Sequence, residues 1–171
     1  MVAIVQKNDP VLRHKAKSIT VADIKSAGIK KVLRNMKAAL SKEDDGVAIA
    51  APQIGEPLRI FVVSGKVLTK SDAPKKSADM VFINPTFVKL SRKKKLMDEG
   101  CLSVRPLYGK VKRSEKATVR AYDEKGTHFE YGASGLMAQI FQHEMDHLEG
   151  VLFIDKAQDI VELTSDNNDT K

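Results

Sequence analysis

Tryptophan is missing from this 171-residue chain, aromatic residues make up 5% of it, and it has one cysteine, Cys101. A single thiol cannot form an intramolecular disulfide, so the fold does not rest on a disulfide framework, and a reducing cytoplasm is the expected compartment. So few aromatics argue against stacking platforms for single-stranded nucleic acid. No apolar run approaches the roughly 18 to 20 residues that a membrane-spanning helix requires, so no membrane partner is expected. The opening "MVAIVQKNDP" has neither the basic start and apolar stretch of a secretory signal nor the Arg-rich character of an organelle import segment.

Hydrophobic residues are 42% and charged residues 30%, an ordinary globular balance. The length suits one domain with its own core, expected over residues 1–157. A polar tail, 158–171, ending in "TSDNNDTK", is expected to fray. The formal net charge is +7, and the excess gathers in "KLSRKKK" (89–95) and "RPLYGKVKRSEK" (105–116). Such a surface serves solubility, or it contacts the phosphates of a polyanion such as RNA or a ribosome.

Periodicity predicts one helix from Thr20 to about Glu43, with Ile29, Val32, Leu33, Met36 and Leu40 on its buried face. "DDGVAIAAPQIGEP" reads as a structured loop, "LRIFVVS" as a buried strand, and "GKVLTKSDAPKKSAD" as a flexible excursion. "MVFINPTFVKL" is strand-like with a break at Asn84-Pro85, and "ATVRAYDEKGTHFEY" reads as a hairpin turning at Gly126. A final helix runs from an N-cap at Ser134 to Gly150. The pattern predicts an α+β domain, with mostly antiparallel sheet packed around this C-terminal helix.

That helix carries "QHEMDHLEG". Residues i and i+4 share a helix face, so His143 and His147 can turn ring nitrogens toward one ion, with Glu144 beside them to reach a water. The neighbouring apolar face, Leu136 and Ile140, is core or the wall of an apolar pocket. Two imidazoles need a third ligand. The position at which an extended protease motif has its third histidine is Phe153, which cannot bind metal. Asp155, Asp159 and Glu162 follow close behind the helix. The better candidate is Cys101 in "DEGCLSV", because two imidazoles and a thiolate leave a fourth position open for chemistry.

Three segments in order, "GVAIAAPQ" (46–53), "EGCLS" (99–103) and "QHEMDH" (142–147), make the sequence resemble a peptide deformylase. The likeness runs from the N-terminal segment to about Asp155. It implies a metal-dependent hydrolase that removes the formyl group from the N-terminal formylmethionine of nascent polypeptides and releases formate. Cys101, His143 and His147 are then ligands to one divalent metal. Fe(II) is the expected native ion, with Zn(II), Ni(II) or Co(II) as alternatives. Glu144 becomes the acid/base, and the Gln53 side chain and Leu102 backbone N–H face the developing oxyanion. Gly46, Val47, Ala48, Leu136 and Ile140 are expected around the substrate. Glu99 is expected to pair with an arginine such as Arg113. A monomer in the cytoplasm, touching the ribosome through its basic surface, completes the expectation. Two departures bear on the cleft: Ala48 replaces the motif's second glycine, and "VRP" replaces V-P-G, placing Arg105 and Pro106 at the rim. The residues by themselves also admit a metallopeptidase, or a basic RNA-binding module with a structural metal.

Overall fold

A computed structural model of the chain describes residues 2–68 and 77–163. A five-stranded antiparallel sheet is built around "IFVV" and "MVFINPTFVKL", rich in the β-branched and aromatic side chains that suit a pleated, half-buried surface. In spatial order it comprises β1 (Ala48–Ala50), β2 (Ile60–Val63), β3 (Met80–Leu90), β6 (Lys116–Tyr122) and β7 (His128–Ser134). A second sheet has β5 (Leu107–Ser114) between β4 (Lys94–Gly100) and β8 (Gln158–Glu162). Three helices complete the numbered elements: α1 (Ala27–Ser41), a single turn α2 (Gly65–Leu68) and α3 (Gly135–Leu148). This is the expected α+β architecture, with α3 against the inner face of the larger sheet. None of the described helices is long and apolar enough to cross a membrane.

The grip on α3 is aromatic. Phe61 of β2 stacks on Phe82 of β3 at 4.5 Å between ring centroids, and Phe141 of α3 meets them at 6.2 and 5.3 Å. All three rings are fully buried. Ser134 occupies the N-cap position, but its side chain makes no capping hydrogen bond. The helix stops as expected at Gly150, whose φ of +75° suits glycine. A side chain there would also stand 2.7 Å from the carbonyl oxygen of Arg13.

Several sequence expectations need adjustment, beginning with the stretch read as a loop, "DDGVAIAAPQIGEP", which contains β1 and a 3-10 turn, Ala51–Ile54. The single helix from Thr20 is two pieces. Thr20 caps a 3-10 turn, Val21–Lys25, and Ser26 then adopts an extended conformation and caps α1 through Ile29 N–H. A hydroxyl that competes for backbone donors favours a cap over a helix interior. The break at Asn84-Pro85 is a bulge within continuous β3. Asn84, at φ +50°, exchanges hydrogen bonds with the backbone of Ile19 at 2.9 and 2.7 Å. The stretch expected to fray from residue 158 begins as β8, whose backbone pairs with β5 although all its side chains are exposed. Backbone pairing, not burial, orders it. Of the excursion expected after Gly65, residues 69–76 lie outside the described residues, as does 164–171 of the tail. The hairpin at Gly126 forms as expected, with Asp123 Oδ1 accepting the N–H groups of Lys125 and Thr127 at 2.8 Å.

Candidate active site

Helical spacing brings His143 and His147 onto one face of α3, with ring centroids 5.0 Å apart. Strand β4 ends at Gly100 and delivers Cys101 to the same point. One ligand atom from each of Cys101, His143 and His147 lies within 4.8 Å of the others, and no other such His, Cys or carboxylate group occurs among the described residues. Cys101 Sγ is 3.3 Å from His147 Nε2 and accepts the Ser103 N–H at 3.4 Å. Of the downstream carboxylates, Asp155 binds Arg13 at 2.6 Å and accepts Leu152 N–H at 2.9 Å, while Asp159 and Glu162 are exposed on β8, outside the cluster. Phe153 is buried beside His143.

A cavity of about 400 Å³ opens over this cluster. Gly46, Val47, Ala48, Gln53, Leu102, Leu136 and Ile140 all line it, together with Cys101, His143 and Glu144. Val47 and Leu136 are 39% and 55% exposed, so they offer apolar surface to an incoming ligand. The Gln53 amide has two engagements. Its Oε1 accepts Ala50 N–H at 2.9 Å, the local capping that a loop glutamine commonly provides. Its Nε2 donates to Ser103 Oγ at 3.1 Å and lies 3.5 Å from Cys101 Sγ, beside the cluster.

Behind the cluster lies a buried ion-pair network. Arg113 of β5 donates from Nε and Nη2 to Glu99 Oε1 and Oε2 at 2.6 and 2.9 Å, and from Nη1 to Asp146 Oδ2 at 2.7 Å. Glu99 Oε2 accepts in turn from His143 Nδ1 at 3.0 Å. A carboxylate on one ring nitrogen fixes the tautomer and leaves Nε2 free to bind a metal. Lys156 holds the other oxygen of Asp146 at 2.7 Å.

The charges follow from this geometry. Burial alone would raise the Glu99 pKa, but hydrogen bonds from Arg113 and His143 bring it down to about 2. Burial would lower the His143 pKa, yet its bonds to Cys101 and Glu99 hold it well above the ordinary imidazole value. His147 moves the other way, pushed down by burial and then by the charge of His143. Burial raises Glu144 to about 7, with the Glu99 charge adding to it and His143 and Arg113 opposing. Two buried polar atoms have no hydrogen-bond partner among the described residues, Glu144 Oε2 and His147 Nδ1.

This donor set fits a divalent cation. A thiol and two imidazoles converge within reach of one ion, and the two proton-hungry neighbours, His143 and Glu144, would both be relieved by a positive charge there. The cluster opens on the cavity, with the unpartnered Glu144 carboxylate beside it.

Sequence reasoning did not single out Ser103, Tyr108, Gln139 or Asp146. Ser103 is fully buried and anchors Gln53. Gln139 donates to Asp98 O at 2.8 Å from the cavity wall. Tyr108 lies across Gly100 in the β4–β5 pairing, so close that a side chain on Gly100 would come within 2.6 Å of its ring. An aromatic residue opposite a strand glycine was the available signal.

Comparison with known proteins agrees with this geometry. The family model described as polypeptide deformylase matches residues 1–162. Peptide deformylase 1A of Arabidopsis thaliana, described as chloroplastic/mitochondrial, is 40% identical over 97% of this chain, which spans 65% of that protein's length. Peptide deformylase of Desulforudis audaxviator is 38% identical, over 92% of this chain and 94% of that protein. A Met-Ala-Ser-bound class I type b peptide deformylase from Acinetobacter baumannii superposes with a TM-score of 0.80. It is 28% identical, over 91% of this chain and 99% of that one.

Proposed function

Since the chain belongs to the polypeptide deformylase family, we propose that it hydrolyses the N-terminal formamide of formylmethionyl peptides, releasing formate and a free amine. The observation that carries this reading is the Cys101, His143 and His147 cluster, with the unpartnered Glu144 carboxylate above it in one cavity.

Cys101, His143 and His147 would hold the metal, with Glu99 and Arg113 orienting His143 from behind. A divalent cation bound there supplies Lewis acidity, which brings a water's pKa toward about 7. Glu144 accepts the proton of the attacking water on its carboxylate, then delivers it to the departing amine nitrogen as the C–N bond breaks. Its raised pKa sits where both transfers are feasible near neutral pH. The new negative charge on the former carbonyl oxygen needs fixed donors, and Gln53 Nε2 and Leu102 N–H take that role. Val47, Leu136 and Ile140 enclose the methionine side chain, while Gly46 and Ala48 let the peptide approach backbone.

We further infer Fe(II) as the native ion, with Zn(II), Ni(II) or Co(II) able to replace it, and a cytoplasmic monomer that meets nascent chains at the ribosome. Supporting the last point, Lys89, Arg92, Lys94, Lys95, Lys110, Lys112 and Lys116 are all exposed on β3 to β6 and the turn joining β3 to β4. The deciding experiment is formate release from formyl-Met-Ala-Ser by anaerobically prepared, metal-loaded protein. Release that is lost in Glu144→Ala with metal retained is expected. No release from the wild type refutes the proposal.

A further inference from the structure

Arg105 lines the cavity from the turn that links the Cys101–Leu102 segment to β5. Its Nη1 donates to Glu43 Oε2 at 2.8 Å, and its Nη2 donates to Asp45 Oδ1. Both acids belong to the loop between α1 and β1, about sixty residues away in sequence. Asp45, Gly46 and Val47 of that loop line the same cavity. The guanidinium therefore ties the loop bearing one cavity wall to the loop bearing the cysteine.

The link from Glu43 to the wall is mechanical. Gly46 donates its N–H to Glu43 O at 3.1 Å. A side chain on Gly46 would stand 2.9 Å from Glu43 Cβ and 3.0 Å from Leu40 Cδ1. Glu43 thus packs directly against the backbone that enters β1. Holding Glu43 fixes Gly46 and Val47, whose side chain is otherwise 39% exposed. Leu40 is buried in the core and closes the loop from below. Lys66 Nζ donates to Glu43 O at 3.3 Å and Ser64 N–H to Val47 O at 2.9 Å, while Arg105 holds the acidic side chains of Glu43 and Asp45.

We infer that Arg105, through Glu43 and Asp45, is a positioning residue that sets peptide affinity by holding the cleft wall at Gly46 and Val47. The inference rests on the deformylase reading. Arg105 touches none of Cys101, His143, His147 or Glu144 by a hydrogen bond or ion pair, so it acts on binding and not on the chemical step. The side chains are partly exposed, at 41% for Arg105 and 63% for Asp45, which limits the effect and makes it sensitive to salt.

The test is steady-state kinetics on formyl-Met-Ala-Ser with metal-loaded wild type, Arg105→Ala, the double variant Glu43→Gln/Asp45→Asn, and the triple variant. Arg105→Ala is expected to raise KM by about fivefold with kcat within about twofold. Wild-type KM is expected to climb toward the variant's between about 0.05 and 0.5 M NaCl, while the variant's stays flat. The triple variant is expected to be no worse than Arg105→Ala, because all three changes break one clasp. Unchanged KM, a loss confined to kcat, or fully additive effects overturn the inference. If Arg105→Ala loses its metal or its cooperative melting, the double variant on the loop decides alone. Formate release with unaltered KM refutes the clasp only; no release from the wild type refutes the clasp together with the activity beneath it.

Discussion

Replacing Glu144 with Gln should make the metal-depleted protein more stable and the loaded protein inactive. Glu144 is 4% exposed, and burial is the largest cause raising its pKa from 4.5 to about 7. The folded protein therefore keeps a proton that the unfolded chain releases. Below about pH 4.5 both states carry it and the residue costs nothing. Between about 4.5 and 7 the unfolded state gains by ionising, so stability falls as pH rises. Above about pH 7 both states are ionised and the full penalty applies. At 1.36 kcal/mol per pKa unit, moving a carboxyl that far is worth about 3 kcal/mol. Glutamine has the same shape and no proton to lose. In urea denaturation of chelator-treated proteins, the advantage of Glu144→Gln should be near zero at about pH 4.5 and reach about 3 kcal/mol at about pH 8. Restoring the metal should narrow the gap, since a nearby cation favours the carboxylate. Loss of kcat by roughly 10²- to 10⁴-fold should accompany it. A gap independent of pH, or a wild type more stable at pH 8, would refute the assignment of a buried, proton-holding carboxyl to Glu144.

Arg113→Met leaves Glu99 buried without its guanidinium partner, and should cost about 3–5 kcal/mol in urea denaturation. Because Glu99 also orients His143, chelator competition should show metal affinity down by about 10- to 100-fold. Cys101→Ser removes the only sulfur of the cluster, so metal content after gel filtration should fall below one per chain; stoichiometric metal would instead favour a site built without sulfur. Phe141→Ala opens a hole against Phe61 and Phe82 and should destabilise by about 3–5 kcal/mol, with metal content unchanged well below the new melting temperature.

What could be read from the chain follows the range of the interactions involved. Helix α3 was legible because its stop signal and its period are local: Gly150, and histidines four apart on a face leading from apolar Leu136 and Ile140. The hairpin around Gly126 was legible for the same reason. Ser26 splits the first helix through a single hydroxyl, a local choice that a hydrophobic period spanning it conceals. Strand β8 was missed because "QDIVE" has exposed side chains throughout, and only its partner β5 makes it a strand. Within the site, Cys101 stood out by scarcity, as the one thiol beside a histidine pair in need of a ligand. The partners of Arg105 had no such mark. Glu43 and Asp45 look like any acidic turn until the fold brings that turn against Arg105 at the cavity.

The hydrogen bonds along α3 account for the constancy that such a centre needs. Gln142 is clamped twice to Ser114, accepting its N–H and donating to its carbonyl at 2.9 Å. His143 is held by Glu99, Asp146 by Arg113 and Lys156, and Glu149 by Arg59 at 2.6 Å. Met145 is buried in the core, and His147 meets Cys101. Rotation or sliding of the helix would break several of these at once, and an error of about 1 Å in a ligand is enough to spoil a site. Within "QHEMDH", Glu144 alone ends in a carboxylate oxygen with no partner. Gln142, His143 and Asp146 are held by their own partners and cannot swing over to neutralise it, and His147, whose Nδ1 is also unpartnered, is held through Nε2 beside Cys101. The tethering that positions the ligands therefore also leaves the Glu144 carboxylate free to move a proton.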